Sequence, residues 1–217
     1  RCLLGGVFVF PVTAPLVTTG RAAFPRVARL TRLVRWNPLA LDIADAIVAS
    51  RAAAPATLER DLLAHGIDRV RALEHEDDVP EVALLVDWCW RRLSRASRRV
   101  LAVLAHVGGD HVDVASLAKL ARLPRGATSA LAPLRRFRLV QEHFAGRFAL
   151  HAVVKHAVAK RTRFSPDRLF AYYVGMLERE PERLGWEQTH LFAAMDHAYR
   201  VSDRAGILRV EALLDRL

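Results

Sequence analysis

From Gly20 to the last residue the apolar side chains recur three and four apart, and only one stretch, "RLVQEHFAGRFAL" at 138–150, breaks that spacing with a β-like pattern. A period near 3.6 gives each segment one apolar helical face, so such a chain hides its apolar residues by packing helices on helices. Within the interruption, Leu139–Val140 and Phe148–Leu150 stand either side of polar residues and Gly146, which is the pattern of a β-hairpin. The expected class is mainly α with a small β-hairpin.

The helical stretches can be placed one by one. Val27, Leu30, Leu33 and Val34 mark a first helix, and "PLALDIADAIVAS" a second, with Pro38 in its first turn and Leu41, Ala44, Ile47 and Val48 on its apolar face. "TLERDLLAHGIDRVRAL" follows, interrupted at Gly66, and the acidic "EHEDDVPE" reads as a linker. Pro80 and Glu81 open a helix with Trp88 and Trp90 near its end, Ser94 caps the next, and Gly108 with Gly109 stops it. Then come a short helix "VASLAKLARL", a turn "PRGA", a helix "TSALAPLRRF" interrupted by Pro133, and the hairpin. Helix, helix, helix, hairpin is the order of a winged helix. "HAVVKHAVAKR" leaves the hairpin as a helix, and Ser165 caps the first of two or three more. The expected division is an edge-strand segment over 1–20, a helical domain over 21–78, a winged helix over 79–160 and the start of a helical-repeat-like region over 161–217.

Composition bounds the function. With 217 residues and 52% hydrophobic content the chain can bury a real core. Its formal charge of +10 is mostly arginine in an Ala/Leu/Val/Arg-rich background, so charge alone argues weakly for nucleic acid. Cys2 and Cys89 are far apart, which indicates neither a disulfide framework nor a thiolate zinc site, and a reducing cytoplasm is the expected location. The apolar run 3–12 is about half of the ~20 residues a membrane helix needs, so no membrane is expected as a partner.

No GxxxxGK[ST] motif occurs, so the chain is expected not to hydrolyse ATP by itself. His106 with His111, and His151 with His156, lack the HExxH spacing. Five residues along a helix turn the rings by about 500°, leaving them roughly 140° apart, so no metal site is expected. No serine lies in a GxSxG context, and Cys89 between two tryptophans reads as a buried structural thiol, so no catalytic residue is expected either. The remaining binding candidates on residue chemistry are Arg135, Arg136 and Arg138, which on the last helix of a winged helix could reach DNA phosphates.

Two segments together resemble one family. "LTRLVRWNPLALDIADAIV" resembles the GLPLAL-type motif in the helical domain of signal-transducing NTPases of the NB-ARC type, the STAND class. "VDWCWRRLSRASRRVLAVLAHVGGDHVDVASLAKLA" and "ALAPLRRFRLVQEHFAGRFALHAVVKHAVAKR" are similar to the start and end of their winged-helix domain. The resemblance implies an NTPase core that this chain does not contain, and ADP or ATP only in its company, with none expected for the chain alone. It also implies His151 as the contact to the β-phosphate of ADP and Pro38 as a wall of the adenine pocket. An imidazole suits the first role, since it can donate to a phosphate oxygen. Trp36 and Asn37 stand where the family motif has Gly-Leu, and Ala152 where an acid follows the His. "GWEQTHLFAAMDHAYRVSDRAGILRVEALLDRL" resembles the helices with which bacterial members begin tetratricopeptide-like repeats, with Thr189 or His190 where Asn is typical. That implies a protein partner bound through the C-terminal helices.

Overall fold

The structure, a computed structural model, describes residues 24–70, 79–108, 111–144 and 146–215. The strand expected within 1–20, Cys2, Gly109 and residues 74–78 of the acidic linker lie outside them. Among the described residues the protein is mainly helical, with one small antiparallel sheet. The elements are α1 (Phe24–Leu33), α2 (Pro38–Ala49), α3 (Pro55–Val70), α4 (Pro80–Arg92), α5 (Arg95–His106), β1 (Val112–Asp113), α6 (Val114–Leu120), α7 (Thr128–Arg136), β2 (Gln141–Phe144), β3 (Arg147–Ala149), α8 (Ala152–Ala159), α9 (Pro166–Arg179), α10 (Leu184–Arg200) and α11 (Arg204–Leu214). No helix among these is long and apolar enough to cross a membrane.

Local chemistry sets most helix starts. Side chains of Asn37, Ser94, Asp113, His151 and Asp203 accept first-turn amides of α2, α5, α6, α8 and α11, satisfying donors a helix leaves unpaired. Pro38, Pro80 and Pro166 occupy first-turn positions, where the missing N–H costs nothing. Ser165 stands at the N-cap of α9 but makes no side-chain cap bond.

The apolar faces merge into one cluster that runs from Leu30 to Leu213. α4 is its hub: α2 and α3 pack on it, and α8 packs on both α4 and α5. Trp88 on α4 is fully buried, with its indole N–H donating to Asp61 of α3 at 3.1 Å and the Arg92 guanidinium 3.6 Å over its ring. α6 and α7 pack on α5, while α9, α10 and α11 pack on one another.

Several local expectations are corrected. α3 runs through Gly66 without a break, because one glycine costs a helix only about 1 kcal/mol. Pro133 lies inside α7 without ending it; the chain turns away only at Arg138, whose φ of 54° is left-handed. The buried face of α2 is Ala40, Ile43, Ala44 and Ile47, with Leu41 and Val48 only half-buried. The first hairpin strand starts two residues late: Leu139 and Val140 are buried lead-in, and all four β2 residues are exposed. β3 is the central strand, pairing with β2 through a bulge at Glu142/Phe144 and with β1, which pairs Val112 with Phe148 and Asp113 with Arg147.

Candidate functional site

The most heavily built polar arrangement lies where the sheet meets α9 and α10. Arg147 of β3 donates to both carboxylate oxygens of Glu187 on α10, at 2.9 and 3.0 Å, and its Nε donates to His111 Nδ1 at 2.8 Å. Glu187 has no exposed surface. Arg183, in the 3₁₀ turn Pro181–Arg183 before α10, reaches the same carboxylate at 3.1 Å, Asp113 of β1 at 2.6 Å and Glu180 at 3.2 Å. Asp113 also caps α6 through the Ser116 amide and accepts the Ser116 hydroxyl, which in turn accepts Tyr172 of α9 at 2.8 Å. Two guanidiniums thus neutralise one fully buried carboxylate and tie two strands to two helices.

The electrostatics follow from burial and partners. Burial would raise the Asp113 carboxyl, but hydrogen bonds from Ser116 and the Arg183 charge hold it below the usual range. Burial would likewise weaken Arg183 as a base, and its acidic partners outweigh that and raise it. His190 of α10, stacked on Tyr173 at 4.2 Å and bonded through Nε2 to the His111 carbonyl at 3.0 Å, is lowered chiefly by burial. Burial, with Glu187 adding to it, pushes the Tyr173 phenol well up, and its hydroxyl has no hydrogen-bond partner among the described residues. A cavity of about 250 Å³ opens beside this stack, lined in part by His106, Gly108, Phe170, Tyr173 and His190. At Gly108 a Cβ would sit 2.1 Å from that of Ala193, so only glycine admits α10 this close. The network pairs its acids with arginines and ties the sheet to α9 and α10, as a fixed joint does.

The residues singled out from sequence lie elsewhere. His151 caps α8: its Nδ1 accepts the Val153 amide at 3.3 Å, which puts the ring proton of the neutral form on Nε2. Pro38 is exposed at the start of α2, behind Asn37, whose Oδ1 accepts the Ala40 amide at 3.0 Å. Trp36 has φ 58°, a left-handed conformation that a residue other than Gly adopts at a cost, and it is 65% exposed. α2 and α8 both pack on α4. Arg135 is paired with Glu142 at 3.0 Å, and Arg138 with Asp42 and Asp45 of α2, while Arg136 is exposed. Two of the three arginines offered to DNA are therefore already occupied by acids. Cys89 is buried, and burial raises its thiol far above the ordinary range.

Sequence reading gave Arg147, Arg183 and Asp113 no functional role, and weighed His111 only with His106 as a metal pair. Glu187 and His190 lie in the stretch that was likened to repeat-entry helices, where Thr189 or His190 stands for Asn, and both are buried. The chain matches no protein-family model, no curated protein and no solved structure.

Proposed function

We propose that these residues form the nucleotide-dependent lid and relay of a signal-transducing NTPase of the NB-ARC type. In this reading the winged-helix domain over 79–160 closes over ADP held by an NTPase core, and α9 to α11 begin a repeat-like region that passes the state to a protein partner. The order α5, β1, α6, α7, β2, β3, with β3 between the other two strands, supports the winged helix.

One observation carries the relay. Arg147, which locks the sheet to α10, and His151, the proposed phosphate contact, sit on either side of the end of β3, four residues apart. Four extended residues span about 13 Å, so a shift at His151 is felt at the joint without any intervening loop. The cap at His151 fixes an Nε2–H donor, the form that suits a phosphate oxygen. Pro38 and Trp36 are exposed beside one another, as a wall of an adenine pocket must be. Exposed Phe192, Tyr199 and Leu208 on α10 and α11 give a partner apolar surface.

The test uses the protein that carries both an NTPase core and these residues. ADP released on denaturation is assayed for wild type and His151→Ala; the expected result is near-stoichiometric ADP in wild type and at least a tenfold loss in the variant. Equal retention in both removes His151 from the switch.

A further inference from the structure

Between Asp113 and Glu142 the sequence holds no Asp or Glu, yet it holds Lys119, Arg122, Arg125, Arg135, Arg136 and Arg138. That run is α6, the turn 121–127, α7 and the residues that lead into β2. Arg135 and Arg138 are neutralised from outside it. Arg122 and Arg125 are exposed on the turn, and no carboxylate among the described residues pairs with either.

Two more arginines converge there from other elements. Arg168 of α9 donates to the Lys119 and Leu120 carbonyls at the end of α6 and lies 5.2 Å over the Phe164 ring, so it is held in place two residues from Arg122. Arg99, exposed on α5, is near enough for its charge to act on Arg168. Burial first, and then the nearby charges of Arg122 and Arg99, lower the Arg168 guanidinium. Arg122 is itself fixed by a left-handed φ of 53° after the last turn of α6. α7 then starts at Thr128 with Ala127 at its N-cap and no side-chain cap, so its first-turn amides stay open beside exposed Thr128 and Ser129 hydroxyls. An uncapped helix start and unpaired guanidinium forks both attract phosphate oxygens.

We infer that the α6–α7 turn, flanked by Arg99 and Arg168, binds the phosphate backbone of a DNA duplex. The cations are spread over open surface, which fits an extended polyanion laid across the turn, and the formal charge of +10 steers one toward it. Contacts of this kind read phosphates, so the affinity is independent of sequence. The inference differs from a reading through Arg135, Arg136 and Arg138, and it stands or falls apart from nucleotide binding.

The test is fluorescence anisotropy of a labelled, mixed-sequence 20-base-pair duplex with the full chain between 50 and 200 mM salt. Wild type is expected to bind with log K falling linearly in log salt, by about 0.9 per phosphate contact. The triple Arg99→Gln, Arg122→Gln, Arg125→Gln is expected to bind at least tenfold more weakly and to flatten that slope by two to three, with an unchanged melting temperature. A charge-matched triple on the C-terminal helices, Arg179→Gln, Arg200→Gln, Arg204→Gln, is expected to stay within threefold of wild type. Should the first triple fail to fold, Arg125→Gln alone is expected to lower the slope by about one. Equal losses in both triples, or no duplex binding at 50 mM salt, overturn the site. Binding to phosphatidylserine vesicles but not to duplex, lost in the first triple, overturns the DNA assignment.

Discussion

Glu187 is a fully buried carboxylate held by two guanidiniums, and its worth shows in the contrast between breaking the pair and replacing it. Removing one partner of a buried pair strands a charge and costs about 3–5 kcal/mol, whereas exchanging both for apolar residues is often neutral. Glu187→Gln leaves Arg147 and Arg183 facing an uncharged amide and is expected to destabilise by about 3 kcal/mol in urea unfolding. The double Arg147→Met, Glu187→Leu is expected to recover at least half of that loss; a double as unstable as the single would show that the joint is held by something else. His190 adds a pH dependence. Its native value lies below the unfolded value of about 6.5, so the fold prefers it neutral; stability is complete above that pH and declines as the pH falls toward the lowered native value. Thermal melts should show a larger loss between pH 7.5 and 5.5 in wild type than in His190→Asn, which keeps a donor and cannot titrate. Equal losses would remove His190 as the source.

At the scale of elements, what was legible in the sequence was what local chemistry decides. Ser94 and Pro80 fix their helix starts within a few bonds of themselves, and both were readable. The hairpin was readable as a hairpin but not in register, because Leu139 and Val140 look like a strand yet are buried in the core ahead of β2, with the Leu139 amide bonded back to the Leu134 carbonyl of α7. β1 has two residues, too short for any period, and exists only because β3 offers an edge to Val112 and Asp113. The joint was hidden for the same reason: Arg147, Arg183, Asp113 and Glu187 are brought together by three-dimensional packing across up to 74 positions, and a lone arginine or acid in sequence looks like any solvated one. Glu187 and His190 were visible only as positions of a resembled helix, without a reason for being polar.

Among the described residues one continuous core carries two kinds of connection across it. Apolar packing through α4 joins α2, α3 and α8, and the ion network joins the sheet to α9 and α10. Arg138, paired with Asp42 and Asp45, adds a bridge from the end of α7 to α2, the helix that Pro38 starts. A molecule so connected moves in blocks, and the proposed relay needs a displacement near His151 to reach α10 through β3 and the Arg147–Glu187 pair. Hydrogen exchange of α10 amides, in a protein that joins the proposed NTPase core to these residues, would compare its ADP-bound and ATP-bound states directly. The relay predicts slower exchange along α10 with ADP than with ATP in wild type, and no difference between the nucleotides in Glu187→Gln. Identical α10 exchange with both nucleotides in wild type would contradict it.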